Sequence, residues 1–75
     1  QGLPYNLRGN ARQKKGDLEG AIEDYNQGIK LNPNQALSYK NRGQALSEKG
    51  DLNGAIADFQ EAIRLNPNYA KSSSV

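Results

Sequence analysis

The side chains able to do chemistry fall into two groups, and the first lacks its essential members. The 75 residues contain no cysteine and no histidine. That removes the disulfide, the thiolate nucleophile, the commonest general base and the commonest metal ligand. Glu19 and Glu23 share a helix face, but no metal-ligand cluster accompanies them. Ser72, Ser73 and Ser74 stand together without a base, and an unactivated hydroxyl is a poor nucleophile. The chain therefore reads as a non-enzyme with no cofactor and no metal.

The second group is cationic and aromatic. Arg8, Arg12, Lys14 and Lys15, with Arg42 and Lys49, could meet phosphates, and Tyr25 and Phe59 could stack on bases. Ten basic and eight acidic residues are interspersed, however, for a net charge of only +2. That mild balance leaves RNA binding through the basic helix ends as a low-weight alternative, and its mark would be steep loss of affinity with salt. Tyr25 and Phe59 also sit on apolar stripes at helical spacing, which is the pattern of a core. Core is the preferred reading for both.

What must position these residues is written twice. Residues 16–34 read GDLEGAIEDYNQGIKLNPN and residues 50–68 read GDLNGAIADFQEAIRLNPN, an offset of 34. The offset extends upstream, where Tyr5, Arg8, Gly9 and Ala11 recur as Tyr39, Arg42, Gly43 and Ala45; in all, 19 of 34 positions agree. A fixed period of this length is the signature of a repeat architecture. Within each copy the punctuation is helical. Gly16 and Gly50 supply left-handed stops, and Asp17 and Asp51 follow as helix caps. Asn-Pro-Asn at residues 32–34 and 66–68 closes the second helix of each pair.

Basic Arg12, Lys14 and Lys15 at one helix end, and acidic Asp17, Glu19 and Glu23 at the start of the next, agree with the helix dipole. Leu18, Ala21, Ile22, Tyr25 and Ile29 form one apolar stripe, and Leu52, Ala55, Ile56, Phe59, Ala62 and Ile63 form its counterpart. The pattern predicts helices over about 3–15, 18–31, 36–49 and 52–65, with Leu3-Pro4 opening the first. Short turns make each pair antiparallel. Gly9 and Gly43, with Ala21 and Ala55, mark close backbone approach beside the large rings of Tyr5, Tyr25, Tyr39 and Phe59.

The order of these positions resembles the tetratricopeptide repeat family. The resemblance rests on the period of 34, the aromatics Tyr5 and Tyr39, Gly9 and Gly43, Ala21 and Ala55, Tyr25 and Phe59, and Pro33 and Pro67. It covers residues 2–69 and implies an all-α fold, an α-solenoid of two antiparallel helix pairs. The chain divides on this reading into repeat one (2–35), repeat two (36–69) and a tail (70–75) that starts like a third copy. There are departures. Arg8 and Arg42 stand where the family usually has leucine, Arg12 replaces a large apolar residue present as Leu46 in the second copy, and Gly28 stands where Ala62 is the norm.

The resemblance also implies where a partner would lie, since first-of-pair helices in this family line a concave groove for peptides. That surface would carry Leu3, Asn6, Leu7, Asn10, Gln13 and Lys14, then Leu37, Lys40, Asn41, Gln44, Ser47 and Glu48. Candidate peptide-binding residues are Asn6, Asn10, Gln13, Lys40, Asn41, Gln44 and Lys71, because amides both donate and accept and lysine adds a charge. Some members clamp a C-terminal carboxylate. Asn10, Asn41 and Lys71 match that pattern, whereas Asn6 and Val75 stand where it wants lysine and arginine.

Two repeats are few, because solenoids bury each apolar face against a neighbour. Ile56, Phe59, Ile63 and Leu65 on the last helix are therefore candidates for self-association or assembly, with a homo-oligomer as the result. No apolar run approaches the ~20 residues that span a bilayer, and QGLPYNLRGN lacks a signal-peptide pattern. The expectation is a cytoplasmic protein-binding module that uses no membrane and whose partner is a protein or peptide.

Overall fold

The computed structural model describes residues 5–69, and four helices occupy nearly all of them: α1 (Tyr5–Lys14), α2 (Leu18–Leu31), α3 (Ala36–Lys49) and α4 (Leu52–Leu65). Three of the expected helices have the expected bounds. The first stops at Lys14 rather than Lys15, which joins the turn. Leu3, Pro4 and everything from Ala70 onward, including Lys71 and Val75, lie outside the described residues.

The caps work as the sequence requires. Asp17 and Asp51 each accept a hydrogen bond from the backbone N–H three residues on, at 3.0 and 3.1 Å. Gly16 and Gly50 take φ of 92° and 103°, the left-handed region that a Cβ would strain. Asn32 and Asn66 end α2 and α4 with nearly the same backbone angles, and each amide returns to a carbonyl one turn back.

Packing follows from the missing side chains. A Cβ on Gly9 would come within 2.5 Å of the Tyr25 ring, and one on Gly43 within 2.8 Å of Phe59. Each ring thus lies close against its partner helix, the approach expected of these glycines. Ala21, Tyr25 and Ala45 are sealed from solvent and form the core, with Ile22 packed against them. The core joins α2 and α3, and Gly9 brings α1 against the Tyr25 ring. Helix α4 packs on α3 alone among the described helices.

Buried polar groups join the pieces where apolar ones do not. Asp24 and Asp58 are buried, and each holds an arginine sixteen residues upstream. Arg8 donates through Nε and Nη2 to the two oxygens of Asp24 at 3.2 and 2.9 Å. Arg42 does the same to Asp58 at 2.7 Å for both bonds. A two-pronged guanidinium–carboxylate bond fixes orientation as well as distance. Arg8 and Arg42 also lie over the rings of Tyr5 and Tyr39, at 5.4 and 5.7 Å from their centroids. The arginines that depart from the family pattern are therefore structural ties within each helix pair.

Candidate functional site

Helices α1 and α3 run side by side in the same direction, joined at both ends by side-chain hydrogen bonds. Ser38 donates from Oγ to Asn6 Oδ1 at 3.0 Å, and Gln13 donates from Nε2 to Glu48 Oε2 at 3.0 Å. Between them opens a hollow of about 380 Å³, lined by Leu7, Asn10, Gln13 and Lys14 from α1 and Gln44 and Glu48 from α3. One lysine and one glutamate balance its charge. Of the expected groove residues, then, Asn10, Gln13 and Gln44 are brought together around one space.

The others divide. Asn6 uses its carbonyl oxygen to hold Ser38, so it serves the helix contact. Lys40 lies with its Nζ 5.5 Å from the centroid of the Tyr69 ring, at the start of the segment after α4. Asn41 is only 5% exposed, and its Nδ2 makes no hydrogen bond within the chain. It is buried, as Ser38 and Ala45 are on the same helix, and the hollow is lined by Gln44 and Glu48 from α3 instead. A buried amide donor without an acceptor carries a desolvation cost of about 1–3 kcal/mol.

Tyr25 supports this site from below. Its Oη lies 2.7 Å from the Asn10 carboxamide and 2.8 Å from that of Gln13. Burial, assisted by the negative charges of Glu48 and Asp24, pushes the hydroxyl up to about 12. The ring therefore keeps its proton throughout the neutral range. Arg42 is likewise held protonated, chiefly by its hydrogen bond to Asp58.

The cationic cluster is largely committed elsewhere. Arg12 reaches Asp24 at 3.1 Å and Asp17 at 3.4 Å, while Arg8 and Arg42 hold the buried aspartates. Lys49 approaches Glu19 at 3.7 Å. At the other end of the molecule, Ile56 is 53% exposed and Ile63 38%, whereas Phe59 and Leu65 are half-buried.

The pairing of Arg8 with Asp24 and of Arg42 with Asp58 was missed in the sequence. A signal was there, since an arginine and an aspartate sixteen residues apart recur together in both copies. Asn26, which accepts from Arg42 Nη1 at 2.8 Å and so ties repeat one to repeat two, gave none. No helix among the described residues is long and apolar enough to cross a membrane.

Two family models match the chain. One is described as a TPR repeat and covers residues 9–50, and the other is described as a tetratricopeptide repeat and covers residues 36–69. No curated protein matches it.

Proposed function

The chain belongs to the tetratricopeptide repeat family, and from that premise we propose that it holds an extended peptide in the hollow between α1 and α3. Repeats of this family are generally protein–protein interaction modules. The observation that supports the finer reading is the hollow itself, which brings the carboxamides of Asn10, Gln13 and Gln44 together with Lys14 around one space. Peptide groups would meet the amides of Asn10 and Gln44, while Leu7 offers an exposed apolar contact. The commitment of Arg8, Arg12 and Arg42 to aspartates weighs against the RNA reading.

The test is a selection of linear peptides from a random library on the immobilised chain. Selected peptides should lose binding to the Asn10→Ala/Gln44→Ala variant and keep binding to Ile56→Lys. The opposite pattern would move the site to α4 and refute the groove.

A second reading has its own observation. Ile22 and Ile29 are half-buried in repeat one, whereas their counterparts Ile56 and Ile63 are exposed. Self-association through α4 would cover them. Sedimentation across a concentration series decides this: a monomer at every concentration refutes it.

A further inference from the structure

The first turn of α4 holds a reactive pair that α2 lacks. Asn53 and Gly54 are the second and third residues of the helix, and Asn53 is exposed. An asparagine side chain can lose ammonia when the backbone nitrogen of the next residue attacks its Cγ. That nitrogen gives up its proton, the carboxamide C–N bond breaks, ammonia leaves, and a five-membered succinimide remains. Water then opens the ring at either carbonyl, leaving aspartate or its isoaspartyl isomer. Glycine is the best following residue, because no Cβ shields its nitrogen and its backbone turns freely. Of the nine asparagines, Asn53 alone precedes glycine. Asn32 and Asn66 precede prolines, which have no N–H to give up.

The cap that calls for this glycine also shields it. A Cβ on Gly54 would come within 2.7 Å of Asp51 Oδ2, so a larger residue would push the capping carboxylate aside. With glycine in place, Asp51 Oδ1 accepts the Gly54 N–H at 3.1 Å. Helical backbone angles also keep that nitrogen out of line with the side-chain carbon it would attack. The reaction therefore needs the first turn of α4 to open, and the cap sets how often it does. We propose that Asn53 is a spontaneous deamidation site whose rate is set by the Asp51 cap.

The product has a counterpart in repeat one. Position 53 corresponds to Glu19, which precedes Gly20 and carries no ammonia to lose. Glu19 approaches Lys49 at the end of α3 at 3.7 Å. Deamidation to aspartate thus gives α4 the negative charge with which α2 meets its neighbour, at a helix N-terminus where such a charge is favoured. The isoaspartyl product instead adds a carbon to the main chain within the same turn and undoes the cap.

Peptide mapping by mass spectrometry, on the chain held at mildly alkaline pH, follows the conversion at each asparagine. An isoaspartyl methyltransferase assay counts the isomer. Asn53 should convert before every other asparagine, and faster still when the chain is unfolded in urea. Asp51→Ala should raise the native rate about fivefold, which is what a lost cap adds to opening. Asp51→Asn keeps a capping oxygen and should stay near the wild-type rate. Asp17→Ala removes the matching cap from repeat one and should leave the Asn53 rate nearly unchanged, with circular dichroism checking each fold. Conversion that begins at Asn34 or Asn68 in the turns would overturn the inference, and the wild type alone decides this. An Asn53 rate that Asp51→Ala leaves alone, or that Asp17→Ala raises equally, would overturn the role of the cap.

Discussion

Helices α2 and α4 carry the same stripe at the same spacing, yet α2 has a described helix on each side and α4 has one. That difference sets the character of each repeat. Tyr25 is sealed at 0% exposure, whereas Phe59 at the same place is half-buried. Ile22 and Ile29 are half-buried, while Ile56 and Ile63 are exposed. The burial of a repeat residue thus depends on its successor as well as on its own type. Polar groups follow suit. Arg42 uses its third donor to grip Asn26 of the preceding repeat, a contact for which Arg8 has no described counterpart.

The comparison breaks most visibly by truncating the two rings. Tyr25→Ala should destabilise by about 3–5 kcal/mol, because a sealed ring leaves a cavity that the helices cannot fill. Phe59→Ala should lose clearly less, about 2 kcal/mol, because part of that ring is already in water. Denaturant melts of both variants measure the difference. Equal losses would mean that something covers α4 as α3 covers α2, and the contrast between the repeats would fall.

The phenol sharpens the contrast further, since Phe59 lacks the hydroxyl through which Tyr25 reaches Asn10 and Gln13. A tyrosine unfolds to a pKa near 10, and burial raises that of folded Tyr25 to about 12. The folded state holds this proton more tightly, so its contribution is complete below pH ~10 and declines as pH rises towards 12. The whole decline is at most about 2–3 kcal/mol. Lysines also titrate in this window, and Tyr25→Phe controls for them. The stability difference between wild type and variant should shrink from pH 10 to 12. A flat difference would mean that the hydroxyl is not buried in solution.

Most of the fold was legible because it rests on short-range rules. Caps, left-handed glycines, prolines and stripes each act within a turn or two, and the 34-residue period displayed them twice. The site was legible in part. Asn10, Gln13 and Gln44 were found because helix periodicity places them on one face. Asn6 and Lys40 occupy that same face and were expected there too, but each is engaged by a neighbour that periodicity does not see, Ser38 and Tyr69. The contacts of the Tyr25 hydroxyl with Asn10 and Gln13 were beyond reach altogether. They join different helices, as does the bond from Gln13 to Glu48 between residues 35 apart in the chain, and no local rule reaches that far.

Gly28 gives the smallest effect and the finest test of how alike the repeats are. It lies inside α2, where Ala62 occupies the matching position in α4. A glycine there looks like a concession to crowding by α3, and the geometry denies it. A Cβ built on Gly28 meets nothing closer than 3.4 Å, with Asn6 Oδ1, Ser38 Oγ and Tyr5 Cβ as ordinary neighbours. Gly9 is the opposite case, since its Cβ would strike the Tyr25 ring. Gly28→Ala should therefore stabilise the chain by about 0.5–1 kcal/mol, through helix propensity and a less flexible unfolded state. Ala62→Gly should lose a similar amount, adding to it the little apolar area that Ala62 buries. Thermal melts of the two variants check both signs. If Gly28→Ala were destabilising, α1 and α3 would sit closer to α2 than their side chains here allow, and the bond from Ser38 to Asn6 would be the first to break.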